Sequence, residues 1–273
     1  MELDWIQIFV ISVLLSLILL YELSSTFKYY AKMILYYTLV SIYSVIVCIL
    51  SLPRPRDPTN LRFASWLLSN TNSLFGIRAE VRGLHHLDYN KPCVVVANHQ
   101  SSIDLFSMFS FGVWPKRCVP IGKKELLFTG TFGACLYLCG IIFIDRLNPD
   151  KARNTLERTA KYMEDNNLKV WIFPEGTRNH ETGLLPFKKG AFHLAINAQV
   201  PIIPIVFSSY SEFYSKREKR FGTGKFTITV LPPIPTEGKT SDEVTEIAEM
   251  VRKQMLTTYN ETSMQRLESN GLN

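Results

Sequence analysis

Two short stretches carry the side chains that could do chemistry. Residues 98–104 read NHQSSID and residues 171–179 read WIFPEGTRN. In the first, His99 and Asp104 stand five positions apart. A carboxylate on one ring nitrogen fixes the tautomer of an imidazole and stabilises its protonated form, leaving the other nitrogen free to take a proton. A general base acting on a hydroxyl needs that arrangement. Positions five apart on a regular helix are about 140° from each other and would not meet. The pairing therefore requires His99 in a turn before a helix, with Asp104 about one turn into it. The plain alternative is a capped turn in which His99 is exposed and Asp104 is a surface charge.

In the second stretch a hydrophobic run delivers a proline, a carboxylate, a glycine and an arginine in quick succession. Arg178 suits a bidentate grip on phosphate. Gly176 lets the backbone approach a ligand, with Thr177 beside it. Glu175 either meets a substrate hydroxyl or anchors Arg178. The alternative is a turn closed by an internal Glu–Arg pair. Lys123 and Lys124 in GKKELLF, and Arg146 in IDR, would add cations for a phosphorylated ligand; each alone reads as a solvated charge. His85 and His86 fall in a loop, His180 follows the arginine, and His193 lies beside apolar neighbours, where a core position is expected.

The sequence contains no GxSxG elbow, P-loop, GxGxxG or HExxH. Ser101 and Ser102 lie near His99 but lack a glycine cluster to hold an oxyanion. Direct attack by a substrate hydroxyl is favoured over a covalent acyl-enzyme. The five cysteines (48, 93, 118, 135 and 139) are odd in number and sit in apolar segments, so buried free thiols are expected and no metal site is indicated.

These residues need elements to position them. PCVVVAN, residues 92–98, reads as a buried central strand, so His99 emerges at its carboxyl end. SSIDLFSMFSF reads as a helix with a serine at its N-cap. LKVWIFPEG reads as strand then turn. Ligands of α/β sheets bind at such carboxyl ends, which lowers the odds that both polar stretches are plain turns. Residues 60–75, 151–166 and KKGAFHLAINAQ read as helices, and IRAEVRGL, VWPKRCVPIGK, VPIIPIVFSS and GKFTITVLPPI as strands, the prolines of VPIIPIVFSS falling near its ends or at a sheet edge. SDEVTEIAEMVRKQMLTTY is a terminal helix opened by a capping-type serine. The alternation defines an α/β fold with a mainly parallel sheet flanked by helices.

Ahead of this domain, residues 5–21 and 33–52 carry no charge. About 20 helical residues cross a hydrocarbon core of roughly 30 Å. A hydrophobic helical hairpin is expected, with ELSSTFKYYAK as its loop. A cleaved leader would carry a basic start, whereas Glu2 and Asp4 stand there. Three prolines and three charges in SLPRPRDP close the hairpin, giving residues 1–58 as anchor and linker and 59–273 as the main domain. Residues 126–144 are also uncharged. A third span there would put His99 and PEGTR on opposite faces of a membrane, so a core or interfacial segment is expected. Mean hydropathy is +0.06 and formal net charge +6, which suits a membrane and anionic partners. No basic run with interleaved aromatics speaks for nucleic acid.

NHQSSID, GKKEL, GIIFIDR, FPEGTR and VPIIPIV, in this order and spacing, resemble the 1-acyl-sn-glycerol-3-phosphate (lysophosphatidic acid) acyltransferase family over roughly residues 60–235. The resemblance implies a glycerolipid acyltransferase-like fold and transfer of an acyl group from acyl-CoA to the sn-2 hydroxyl of lysophosphatidate, giving phosphatidate and CoA. It implies His99 as base, Asp104 as its support, and Arg178, assisted by Lys123, Lys124 or Arg146, on the acceptor phosphate. Glu175, Gly176 and Thr177 would shape that pocket and VPIIPIV a ligand wall. It implies no metal and no bound cofactor, with acyl-CoA as co-substrate, the bilayer as partner, and the endoplasmic reticulum membrane as location. The same motifs resemble acyltransferases of other glycerol-phosphate or lysophospholipid acceptors. The residues also fit a non-catalytic lipid-binding membrane protein, or a hydrolase in which His99 activates water.

Overall fold

The computed structural model describes residues 4–110 and 112–269. Glu2, and Phe111 at the end of SSIDLFSMFSF, lie outside the described residues. In chain order the elements are α1 (Trp5–Leu23), α2 (Ser25–Ser51), α3 (Leu61–Leu74), β1 (Ile77–Arg82), β2 (Val94–Ala97), α4 (Asp104–Met108), β3 (Cys118–Lys123), α5 (Gly130–Leu138) and β4 (Ile142–Ile144). There follow α6 (Pro149–Asn166), β5 (Lys169–Ile172), α7 (Gly190–Asn197), β6 (Ile202–Phe207), the short pair β7 (Tyr214–Ser215) and β8 (Arg220–Phe221), β9 (Gly224–Val230) and α8 (Val244–Ser269).

A seven-stranded sheet runs β1-β9-β6-β2-β5-β3-β4, and every neighbouring pair is parallel except β6 with β9. Strand β2 is central, and all four of its residues are buried. That is why VVVA shows no alternation: a strand covered on both faces has no polar side. The carboxyl ends of β2, β3, β4, β5 and β6 gather along one edge, and both chemical stretches emerge there.

Strand β6 is interior, between β2 and β9, rather than at an edge; Pro201 falls just before it, at its end, and Pro204 within it. Its Pro204 is tolerated because the antiparallel ladder to β9 begins at Ile205, and Pro204 only accepts, from the Leu231 N–H at 2.9 Å. The terminal helix is opened by Thr240 rather than by a serine. The Thr240 side chain accepts from the backbone N–H of Glu243, and the Glu243 carboxylate accepts the Thr240 N–H.

Helices α1 and α2 are both long and apolar enough to cross a membrane. The expected loop over residues 22–32 is helical instead. Ser24 alone separates the two helices, and its hydroxyl accepts the Phe27 N–H at 3.2 Å. No residue of α1 is buried. Helix α2 buries Tyr29, Met33, Tyr36, Ser44, Val47 and Ser51, a helical-period stripe that lies along the main domain. Its amino half meets Phe75, Phe106 and Tyr214, and its carboxyl half lies on α5. Lys32 donates to the carbonyls of Phe75 and Gly222 at 3.3 and 3.0 Å.

Residues 126–144 are no single span. They hold the end of a short 3₁₀ turn, then α5, then β4. Gly140, at φ +77°, ends α5, and a side chain there would meet the Arg56 carbonyl at 2.8 Å. The glycines that interrupt the apolar run thus turn it back into the sheet.

Candidate active site

At the end of β2 the chain turns sharply. Asn98 and Gln100 point away from His99 and tie the turn to β6. Asn98 donates to the Phe207 carbonyl at 2.9 Å and accepts the Phe207 N–H at 2.8 Å. Gln100 donates to the carbonyls of Phe207 and Ser208 at 3.2 and 3.0 Å. His99, between them, projects the other way. Its Nδ1 lies 2.6 Å from Oδ2 of Asp104.

Asp104 is the first residue of α4 rather than one turn into it, and the expected serine N-cap is not used. The reason is local. The Asp104 carboxylate itself accepts the N–H groups of Gln100 at 2.8 Å and Ser101 at 3.1 Å, closing the turn. One carboxylate therefore builds the turn and holds the imidazole. The Asp104 side chain is 3% exposed while that of His99 is 21% exposed. The support is dry and the ring reaches the surface. Nε2 makes no hydrogen bond among the described residues, so it is the nitrogen available to a ligand.

The ring is also held from below. Phe173, just after β5, stacks on it at 4.1 Å and 17°. Trp171 packs on Phe173 at 6.3 Å and on Trp114 at 5.3 Å. Tyr210 is buried, its hydroxyl meets that of Ser107, and burial followed by the nearby Asp104 pushes its phenol well above the usual range.

Glu175 makes no ion pair with Arg178 among the described residues. Its Oε1 accepts the backbone N–H of His99 at 2.7 Å, and its Oε2 accepts that of Leu185 at 2.9 Å. It is a buried brace between loops. Burial pushes its carboxyl up, and the two N–H donors oppose that. Arg252 of α8 donates to the carbonyls of Leu184 and Leu185, extending the brace outward. Asn179 adds a second tie, its N–H reaching the His99 carbonyl at 2.7 Å. Gly176 has φ +68°, a left-handed turn that brings its backbone beside the Lys188 side chain.

The cations divide into two groups. Lys123, Lys124 and Arg146 stand at the β3–β4 end, where Lys124 is 3.9 Å from Asp145 and Arg146 donates to the Gly176 carbonyl. Thr177 and Arg178 are exposed. The charge of Arg178 acts on His180 beside it, which partial burial, Lys216 and Arg178 together push below its ordinary value. Within VPIIPIV, residues 202–206 are buried in β6, while Val200 and Pro201 are partly exposed.

Sequence reasoning missed Phe173, Asn98, Gln100, Asn179 and Tyr210. Only Asn98 and Gln100 left a signal, polar residues two apart flanking the histidine at a strand end. The five cysteines are free, and no group of ligating side chains is placed to hold a metal among the described residues.

A histidine–aspartate pair whose second imidazole nitrogen is unbonded among the described residues thus stands at the carboxyl edge of a mainly parallel sheet, beside the apolar α2. A family model described as Acyltransferase matches residues 78–208. The human 1-acyl-sn-glycerol-3-phosphate acyltransferase alpha is 47% identical over 88% of this chain and 84% of its own length. The human beta enzyme is 42% identical over 90% and 88%. The crystal structure of the 1-acyl-sn-glycerophosphate acyltransferase of Thermotoga maritima superposes with a TM-score of 0.65 at 22% identity, covering 86% of this chain and 93% of that one, and shows the shared fold. The chain belongs to the 1-acyl-sn-glycerol-3-phosphate acyltransferase family.

Proposed function

We propose that the protein transfers an acyl group from acyl-CoA to the sn-2 hydroxyl of lysophosphatidate, giving phosphatidate and CoA. The observation that carries this reading is the 2.6 Å contact of His99 Nδ1 with Asp104, which leaves Nε2 as a base. Nε2 takes the proton of the acceptor hydroxyl as that oxygen attacks the thioester carbonyl. The tetrahedral intermediate collapses, the C–S bond breaks, and the leaving thiolate takes the proton back from the imidazolium. Asp104 holds the imidazolium in place throughout. A positioned base contributes about 10²–10⁴-fold. No cofactor enters these steps.

The names of the relatives support the acceptor, and Arg178 in FPEGTR supports a free phosphate on it. The apolar α1 and α2 support attachment to a membrane, which we assign to the endoplasmic reticulum. The test is acyl transfer from labelled acyl-CoA in membranes, wild type beside His99→Ala, with lysophosphatidylcholine as control acceptor. Phosphatidate formed only with intact His99 and the phosphate acceptor bears the reading out. Equal use of lysophosphatidylcholine points to a sister acceptor, and near-normal activity of His99→Ala overturns the mechanism.

A further inference from the structure

A cleft of about 470 Å³ lies beside the His99 turn. One wall is Gln100, Ser101 and residues 179–182; the other is Tyr210 and the β7–β8 hairpin with Lys216 and Arg217. His99 itself is not part of the lining, but residues adjoining it are. The hairpin follows β6, so it stands at the same sheet edge as His99 and PEGTR, on the side away from Lys123, Lys124 and Arg146.

The hairpin reads SKREKR over residues 215–220. Arg220 is committed: it pairs with Glu218 at 2.8 Å and donates to the Glu212 carbonyl. That leaves Lys216 and Arg217 with no ion pair among the described residues, and Glu181 as the remaining carboxylate on the wall. Lys216 and Arg178 act on His180 with the same sign, each opposing its protonation. Lys216 and Arg217 line the cleft and Arg178 adjoins its Asn179–His180 wall, so like charges surround it and favour an anion there. The hairpin is also held rigidly. Phe221 stacks on Phe75 at 5.5 Å, Tyr214 lies 6.0 Å from Tyr29, and Lys219 sits over the rings of Tyr29 and Tyr30. Rigid placement lowers the entropic cost of holding a ligand.

We propose that this cleft is a phosphate site for a substrate, in which Lys216 and Arg217 act beside Arg178. This rests on the acyl-transfer reading, in which both reactants are phosphorylated. The acceptor bears a phosphomonoester, and the donor bears a diphosphate and a 3′-phosphate. Two cationic groups, one on each side of the His99 turn, match two such reactants. Hydroxyl and amide groups on the walls, from Ser101, Asn179 and Ser211, supply neutral donors to the phosphate oxygens.

The test compares wild type, the double variant Lys216→Ala/Arg217→Ala, its conservative counterpart Lys216→Arg/Arg217→Lys, and Lys161→Ala as a charge change on the exposed face of α6. Initial rates are measured against each substrate separately. Equilibrium binding of lysophosphatidate and of adenosine 3′,5′-bisphosphate is measured by calorimetry. The expected result is a KM raised at least tenfold for one substrate, kcat kept within about threefold, the matching ligand's affinity lost, and recovery in the conservative variant. A rise for lysophosphatidate assigns the site to the acceptor; a rise for acyl-CoA, with lost bisphosphate binding, assigns it to the donor. KM values and affinities within twofold of wild type, as for Lys161→Ala, overturn the site. An inactive wild type that still binds either ligand through Lys216 and Arg217 would sink the acyl-transfer reading and leave the site standing.

Discussion

The Glu175 carboxylate accepts the backbone N–H of His99 at 2.7 Å. The two residues lie 76 positions apart, at the ends of neighbouring parallel strands. Glu175 therefore sets where His99 sits without touching its ring. Replacing it by glutamine turns one acceptor oxygen into a donor facing a backbone N–H. A buried donor left so costs about 1–3 kcal/mol. Glu175→Gln should unfold at lower urea by that margin and lose activity through displacement of His99, which a shifted His99 ring resonance would show.

The same residue gives a pH dependence. Its folded carboxyl titrates above its unfolded value of about 4.3 because burial disfavours the charge. The folded state thus holds its proton longer, and this contribution to stability falls as pH rises from the unfolded value through the folded one. Urea midpoints across the weakly acidic range should show that component in wild type and not in Glu175→Gln. The same slope in both proteins would contradict it.

His99 and Asp104 should separate in their effects. His99→Ala removes an outward-reaching ring and should cut kcat by about 10²–10⁴-fold with little change in thermal midpoint. Asp104→Asn should lose both, because the carboxylate also accepts the N–H groups of Gln100 and Ser101. A destabilisation of about 1–3 kcal/mol is expected for the amide, read from denaturant midpoints of the two variants.

Gly176→Ala places a Cβ on a residue at φ +68°. The contact it makes, at 2.9 Å, is with the flexible Lys188 chain, which can move. The backbone conformation then sets the cost, about 1–2 kcal/mol. Gly176→Asn should cost less than alanine, since asparagine tolerates this region better. Equal midpoints for both variants would show that the turn relaxes.

The amino-terminal helices should differ in what their removal does. No residue of α1 is buried, whereas α2 buries Tyr29, Met33, Tyr36 and Val47 and donates from Tyr36 to the Ser102 carbonyl at 2.7 Å. Each such side chain contributes about 1.5–3 kcal/mol when fully buried. In detergent, a chain starting at Ser24 should keep a cooperative unfolding transition, and one starting at Leu52 should lose it. Retained cooperativity in the shorter chain would mean that α2 only rests on the domain. Tyr36→Phe should weaken activity as well as stability, because its bond reaches the NHQSSID turn.

The sequence by itself determined which residues could pair and where the strands run. VVVA had to be a covered strand because nothing in it is polar, and His99 had to follow its carboxyl end. The pairing of His99 with Asp104 was legible because a turn between strand and helix is the one local geometry that joins them. The tertiary structure decided everything that depends on contact between distant segments. Glu175 looked like a partner for Arg178, three residues away, yet its oxygens meet N–H groups donated by His99 and Leu185. The stretch at 22–32 looked like a loop because it is polar, yet it is helical, with Tyr29 packed against the domain and Lys32 bonded to the carbonyls of Phe75 and Gly222. The basic residues of 215–220 carried no local signal and gained one only where β6 delivers the hairpin beside the His99 turn. Hydrophobic patterning is local and can be read along the chain, whereas which polar group meets which is fixed only when strands far apart in sequence lie side by side.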